Sequence, residues 1–140
     1  MSGRRRVLII EDDEDAAAIL AGLLEMEGFK PTTTGSAFGA ADLVRRTRPD
    51  VVVMDLVLPY QSGMSFLDGL KADPQTAEIP LIVCTAFPDT LTPSRAVQAA
   101  AVLHKPIDLR HLLMLVRGAV ETRRAHARRC RRSSAFAAGA

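Results

Sequence analysis

The chain has 140 residues, 48% of them hydrophobic and 24% charged, with a net charge of +2, which is ordinary for one globular domain. Its apolar runs fall well short of the roughly 20 residues that span a membrane, and the run at residues 7–10 is too short for a signal peptide. The two cysteines, Cys84 in an apolar run and Cys130 in a basic one, do not indicate a disulfide framework, so we expect a cytoplasmic protein.

The positive charge is concentrated at the C-terminal end of the chain. Residues 1–120 contain 12 Lys and Arg against 15 Asp and Glu, whereas residues 121–140 contain six Arg and one acid, Glu121. The first part is therefore mildly acidic and the second is basic. We predict a folded domain over residues 1–121 and a basic, Arg-rich tail or linker over residues 122–140.

Short apolar runs alternate with amphipathic segments along the chain. In chain order we predict a strand at 7–10, a helix at 14–26, a strand at 29–34, a helix at 36–47, a strand at 51–55, a helix from 62 or 63 to about 73, a strand at 81–84, a helix at 93–99, a strand at 101–103 and a last helix from 109. Ser36, Thr92 and Asp108 are the expected caps of three helices, and Pro31 places the second strand at a sheet edge.

This alternation predicts an α/β fold, a doubly wound five-stranded parallel sheet with helices on its faces. The run Val51-Val52-Val53 is β-branched and fits a strand that is buried on both sides. The rest of the chain is therefore expected to be arranged around this strand, which ends at a carboxylate.

Polar residues follow four of the five predicted strands: Glu11 with Asp12, Asp55, Thr85 and Lys105. Ligands of open parallel sheets bind beyond the carboxyl ends of the strands, at the switch in strand order. If the order is 2-1-3-4-5, the three carboxylates converge, and the lysine lies roughly 10 Å away, within reach of its long side chain. Taken separately, the acids after the first strand also fit a solvated helix start, and the threonine fits an ordinary strand-end hydroxyl.

Three converging carboxylates need a cation. Two like charges 4 Å apart repel by about 4 kcal/mol at an effective dielectric constant of 20, and one lysine against three acids leaves a formal charge of −2. Mg²⁺ suits such a site because it binds oxygen ligands and keeps several waters. A carboxylate nucleophile, a dication, a lysine and a hydroxyl are also the groups that phosphoryl transfer requires.

Four motifs in this sequence resemble those of the receiver domains of bacterial two-component response regulators. They are Ile9-Ile10-Glu11-Asp12, Met54-Asp55-Leu56-Val57-Leu58-Pro59 with Gly63, Thr85-Ala86, and Lys105-Pro106. They occur in the family's order, and the resemblance covers about residues 5–120. It implies a flavodoxin-like sheet with the strand order 2-1-3-4-5.

The resemblance also implies the roles of the acids. Asp55 accepts a phosphoryl group from a sensor histidine kinase or a histidine phosphotransfer protein. Asp12 and Asp55 would bind Mg²⁺ together with the main-chain carbonyl of Val57, and Glu11 would take part in the metal site directly or through a water. The domain is then a signalling switch and not a turnover enzyme. Its expected partners are an unknown output protein and a second copy of the chain in a homodimer.

For the remaining site residues the resemblance implies that Thr85 hydrogen-bonds one phosphoryl oxygen and that Lys105 pairs with another. It also implies a cis peptide between Lys105 and Pro106. The sequence departs from the family at Val102, where an aromatic residue is usual. We therefore expect activation to be transmitted mainly through the loop 86–92 and the helix that follows it.

Two other functions stay open. The domain fits a phosphorelay intermediate that passes its phosphoryl group to a histidine phosphotransfer protein. Alternatively, the tail binds nucleic acid weakly and without sequence preference, since Arg124, Arg128 and Arg131 share one face if the last helix continues. A flavin-binding protein of the same topology is disfavoured because acids line the position of its phosphate. His126 belongs to no recognisable cluster.

Overall fold

The computed structural model describes residues 5–37, 39–57 and 63–139, with side chains up to residue 132. Leu58, Pro59 and Ser62, which belong to the predicted loop and helix start, lie outside these ranges. The elements are β1 (Arg6–Ile10), α1 (Glu14–Met26), β2 (Lys30–Thr34), α2 (Ala40–Thr47), β3 (Val51–Asp55), α3 (Gly63–Ala72), β4 (Leu81–Thr85), a 3₁₀ turn (Pro88–Thr90), α4 (Pro93–Ala96), β5 (Ala101–His104) and α5 (Leu109–Gly139). Within the described ranges, no helix combines the length and the apolar character needed to cross a membrane.

The five strands of the described chain form one parallel sheet in the order β2-β1-β3-β4-β5, which confirms the predicted fold class and order. β3 lies at the centre, and all five of its residues are buried because its β-branched run packs against helices on both faces. β2 lies at one edge, where the missing N–H of Pro31 is tolerated.

Alternate residues of the strands face two separate apolar layers. On one face, Val52 of β3 belongs to a buried cluster with Val44 of α2 and Leu67 of α3. On the other face, Val53 belongs to a cluster with Leu24 of α1 and the buried residues of α5. Full burial of a side chain of this kind contributes about 1.5–3 kcal/mol, so the two layers fix the sheet and with it the positions of the strand ends.

Two predicted helix boundaries are wrong. α2 begins at Ala40 and not at a Ser36 cap, because a hydrogen bond from the Ala40 N–H to the carbonyl of Ala37 closes a turn before the helix. α4 ends at Ala96 and not near residue 99, because the N–H of Ala100 is already bound to the carbonyl of Leu81 in β4. A local turn therefore sets the first boundary, and a contact with a strand distant in sequence sets the second.

The other two predicted caps are confirmed. The hydroxyl of Thr92 accepts the N–H of Arg95 at 3.4 Å at the start of α4. The carboxylate of Asp108 accepts the N–H of Arg110 at 3.0 Å at the start of α5. Each cap satisfies an N–H that has no partner inside its helix.

α5 is a single helix of 31 residues that continues through the predicted tail. The fully buried Leu112, Val116 and Val120 hold its first half against the sheet. Their spacing of four places them on one face of the helix. The basic segment is therefore carried on the same helix that covers the sheet.

The predicted face of three arginines on this segment needs a correction. Arg124 does not share a free surface with Arg128 and Arg131, because its Nη2 donates to Oδ2 of Asp50 at 3.1 Å, and both side chains are largely buried. The same Asp50 oxygen accepts the N–H of Arg6 at 2.9 Å. One carboxylate before β3 thus joins β1, β3 and α5.

Candidate functional site

Three carboxylates meet at the carboxyl edge of the sheet. Glu11 and Asp12 directly follow β1, and Asp55 is the last residue of β3. The pairing of Ile10 with Met54 sets the ends of these two strands side by side. One oxygen of each carboxylate lies within 4.8 Å of the others. Glu11 and Asp55 are each 8% exposed, so two of the three charges are buried.

Lys105 reaches the same place from the end of β5. Its main-chain N–H donates to the carbonyl of Thr85 at 2.8 Å, and its peptide bond to Pro106 is cis, as predicted. Its Nζ lies 2.6 Å from Oδ2 of Asp55 and 3.3 Å from Oε2 of Glu11. One ammonium group therefore binds two buried carboxylates.

Burial and the neighbouring charges shift the pKa values of Glu11 and Lys105. Burial raises the pKa of Glu11 above its ordinary 4.5, opposed by Lys105 and reinforced by the negative charge of Asp55. Burial by itself lowers the pKa of Lys105, but its hydrogen bond to Asp55 and the charges of Asp55 and Glu11 outweigh this and raise the pKa above 10.5. The site thus holds more negative charge than one ammonium group neutralises.

The donor set fits a hard divalent cation. Three carboxylates within 4.8 Å of one another offer oxygen ligands, and together with one lysine they leave a formal charge of −2. Asp12 is exposed while Glu11 and Asp55 are buried, which suits Mg²⁺ because this ion keeps several waters on its open side. The pKa of Glu11 is raised chiefly by burial and in part by the negative charge of Asp55.

Both oxygens of the Asp55 carboxylate are engaged. Oδ1 accepts the N–H of Val57 at 3.0 Å, and Oδ2 accepts Lys105. Thr85, the last residue of β4, is fully buried, and its hydroxyl accepts the N–H of Phe87 at 3.0 Å. The side chains of Val57 and Phe87 are 63% and 62% exposed. The structure therefore places Thr85 at the same edge, one strand beyond Asp55, with its hydroxyl bound to the following loop.

Gly63 allows the first turn of α3 to approach the end of β3. Its N–H donates to the carbonyl of Leu56 at 3.0 Å. A Cβ at this position would lie 2.6 Å from Cα of Leu56 and 2.8 Å from the carbonyl oxygen of Asp55. Only glycine fits here without moving the main chain that carries the Asp55 carboxylate.

An apolar cavity of about 400 Å³ opens beside the carboxylates, between α1 and α5. Ile19 on α1 and Leu109 on α5 line it and are partly exposed to solvent. Cys84 lies at its base, where burial, opposed in part by Lys105, raises the pKa of the thiol to about 12. The thiol is therefore neutral at physiological pH and is not a nucleophile.

Two side-chain clusters were not predicted from the sequence. Arg95 of α4 donates from Nε and Nη2 to both oxygens of Asp68 on α3, at 2.7–3.2 Å. His126, for which no cluster was predicted, lies 2.7 Å from Oε2 of Glu78 and 3.4 Å from Sγ of Cys130. Cys130 lies one helical turn beyond His126, so that contact is local. Asp68 and Glu78 are distant in sequence from Arg95 and His126, so no local pattern indicates these two pairs.

The sequence matches one protein family over most of its length. The profile of the family described as the response regulator receiver domain matches residues 7–117. Protein Rrf1 of Nitratidesulfovibrio vulgaris is 32% identical over 119 residues, which cover 84% of this chain and 83% of that protein. The DNA-binding response regulator MtrA of Mycobacterium tuberculosis is 33% identical over 116 residues, which cover 81% of this chain. The chain spans about half the length of MtrA, since the match covers 50% of it.

Solved structures give the same result. A sensor protein from Polaromonas sp. JS666 superposes with a TM-score of 0.78 at 31% identity, covering 86% of this chain and 98% of the other. A CheY-like response regulator receiver domain from Methylobacillus flagellatus superposes with a TM-score of 0.75 at 28% identity, covering 84% and 99%. Both similarities extend over nearly the whole of the compared chains.

Proposed function

Because this chain belongs to the response regulator receiver domain family, we propose that it is switched by transfer of a phosphoryl group from a histidine kinase to Asp55. The observation that carries the proposal is the environment of this one carboxylate. It ends the central strand, it is buried, and its Oδ2 lies 2.6 Å from Lys105 beside two further acids. No other described carboxylate combines a strand end, a lysine and an acidic pair.

The proposed reaction is a nucleophilic displacement at phosphorus. An oxygen of Asp55 forms the new O–P bond while the P–N bond of the donor's phosphohistidine breaks, and the imidazole leaves with the electron pair of that bond. Lys105 then pairs with a phosphoryl oxygen in place of the carboxylate oxygen that it binds now. Its raised pKa keeps it protonated throughout, so it offsets part of the added negative charge.

We assign the Mg²⁺ ligands to Glu11, Asp12, Asp55 and the main-chain carbonyl of Val57, with Glu11 acting directly or through a water. When bound, this ion would neutralise charge on the transferred group. The Val57 N–H already orients Oδ1 of Asp55 at 3.0 Å, so the same short segment holds the carboxylate and supplies the carbonyl. The acids therefore orient and neutralise, and Asp55 alone forms the covalent bond.

The signal is proposed to leave the site through Thr85. Its hydroxyl turns to donate to a phosphoryl oxygen, which weakens the hydrogen bond that it now accepts from the N–H of Phe87. Val102 is partly buried and has no ring to follow this movement. Loop 86–92 and α4 then respond, and they form the surface that a partner protein recognises. A shift of this kind needs only a few kcal/mol of differential interaction.

A phosphorylation assay tests the assignment. The full chain is treated with a small phosphodonor such as acetyl phosphate plus Mg²⁺, and its intact mass is measured. We expect one phosphoryl group on the unmodified sequence, none on Asp55→Asn, and none when the metal is chelated. Asp89→Asn is the matched control, because Asp89 is an exposed acid in the neighbouring 3₁₀ turn. Equal labelling of Asp55→Asn would show that the acceptor is elsewhere.

A further inference from the structure

A second charged site lies at the opposite edge of the sheet from Asp55. A cleft of about 330 Å³ opens where α2 ends, between the α3–β4 connection and α5. Its described lining contains three arginines and no acid. The lining residues are Arg45, Arg48 and Arg123, with Val44, Pro49, Gln75, Thr76 and Ile79. We call this feature the arginine cleft.

The positive charge of the arginine cleft is poorly neutralised. Within the described ranges, the guanidinium groups of Arg48 and Arg123 have no ion pair or hydrogen bond. Arg45 has one partner, Asp73, at 3.6 Å, and both side chains are partly exposed. The three arginines and this one acid leave a formal charge of +2. An anion entering the cleft therefore meets two guanidinium groups that have no competing partner.

The walls of the cleft are fixed by main-chain and buried contacts. Arg48 caps the C-terminus of α2 in a left-handed conformation, with φ 47° and ψ 63°, where glycine or asparagine is usual. Its N–H donates to the carbonyl of Val44 at 2.8 Å, and Pro49 after it is buried. On the opposite wall, the buried Thr76 hydroxyl donates to the carbonyl of Leu70 at 2.7 Å. The cleft is therefore a formed feature of the fold.

We propose that the arginine cleft binds the phosphate groups of a small phosphorylated ligand. The planar guanidinium group offers two parallel N–H donors that match phosphate oxygens, which makes arginine the preferred residue for this chemistry. A volume of about 330 Å³ lies at the lower end of the range for small-molecule sites. It suits a compact group such as a diphosphate, and its concave shape disfavours a flat anionic surface.

The cleft is separate from the acidic site. It lies by Arg48 and Pro49, just before the amino end of β3, whereas Asp55 is the last residue of that strand. Four residue steps at about 3.3 Å place the two ends of β3 roughly 13 Å apart. Occupation of one site therefore does not block the other, and a loss of phosphorylation at Asp55 leaves the cleft intact.

Titration with inorganic pyrophosphate tests the proposal. The full chain is titrated without Mg²⁺, and binding is followed by calorimetry and by amide NMR shifts of residues 45–49 and 75–79. Arg48→Gly removes one positive charge of the cleft and keeps a residue that accepts a φ of 47°. Arg123→Ala removes the positive charge that α5 contributes to the cleft. Arg46→Ala is the control, because Arg46 is on α2, pairs with Asp42 at 2.9 Å and does not line the cleft.

We expect Arg48→Gly and Arg123→Ala each to weaken pyrophosphate binding about 10- to 100-fold, the range for loss of charge-assisted hydrogen bonds. Arg46→Ala and Asp55→Asn should leave the affinity nearly unchanged, and thermal unfolding verifies that every variant is folded. A nucleoside diphosphate that follows the same pattern of variants identifies the ligand class. No binding at millimolar pyrophosphate overturns the proposal. The proposal is also overturned if single-stranded RNA binds more tightly than pyrophosphate and if Arg46→Ala weakens RNA binding as much as Arg48→Gly does. The arginines would then act as a diffuse positive surface and not as a defined site.

Discussion

Replacing Gly63 by alanine should destabilise the protein strongly, although alanine is the better helix former. The added Cβ would lie 2.6 Å from Cα and 2.7 Å from O of Leu56, and 2.8 Å from O of Asp55. Ordinary contact begins at 3.4 Å, so relief of the 2.6 Å contact requires main-chain atoms to separate by about 0.8 Å. Overpacking costs about 1–3 kcal/mol when side chains can adjust. Here backbone must move, so we expect a loss of about 3 kcal/mol.

Gly69→Ala is the matched control for this prediction. Gly69 is an exposed position in the interior of the same helix, and nothing lies within 4 Å of an added Cβ. Gly69→Ala should stabilise the protein by about 0.5–1 kcal/mol, which is the difference in helix propensity between glycine and alanine. Urea unfolding gives both free energies, and the phosphorylation rate should fall only in Gly63→Ala. If Gly63→Ala is as stable as Gly69→Ala, the close approach of α3 to β3 does not require glycine at position 63.

Three further outcomes are expected. Lys105→Met should lower the metal-free unfolding free energy at pH 7 by about 2 kcal/mol, less than for a fully buried pair because the Lys105 side chain is 29% exposed. This loss of stability should become smaller as the pH falls through the raised pKa of Glu11, because a protonated, neutral Glu11 no longer forms an ion pair with Lys105. A loss that does not change with pH would contradict the pairing. Arg95→Ala should speed amide exchange in α4 without changing exchange in β3. If α4 exchanges at the same rate in this variant and in the unmodified protein, the ion pair between Arg95 and Asp68 does not stabilise α4. A maleimide should label exposed Cys130 but not Cys84, whose thiol has a pKa of about 12, and two adducts on folded protein would refute that burial.

The strands could be predicted because their signals are local, whereas their order in the sheet is implied by the resemblance to receiver domains. Four of the five described strands contain a run of apolar residues. β2 has the sequence Lys-Pro-Thr-Thr-Thr, and the missing N–H of Pro31 marks it as an edge strand. Of the two helix boundaries that failed, the start of α2 is set by a local turn and the end of α4 by a contact distant in sequence. The end of α4 depends on the hydrogen bond from Ala100 to Leu81, and a helical pattern in residues 93–99 carries no information about that partner.

The acidic site could be anticipated for a related reason. Parallel strands bring their carboxyl ends to one edge, so residues after separate strands are brought together by topology alone. The pair of Arg95 with Asp68 and the arginine cleft depend on how helices are rotated against one another. That rotation is set by the shapes of many packed side chains, and the spacing of charges along a helix does not reveal it.

The central strand that carries Asp55 is tethered at both ends by carboxylates. At its amino end, Asp50 binds Arg124 of α5, and at its carboxyl end, Asp55 binds Lys105. The basic end of α5 therefore stabilises the position of the strand through Arg124 in addition to forming a charged surface. A protein shortened at residue 121 keeps every acid of the site but loses the cation at the far end of β3. Measurements on such a shortened protein would describe a receiver domain in which Asp50 keeps its hydrogen bond from the N–H of Arg6 but has lost its contact with α5.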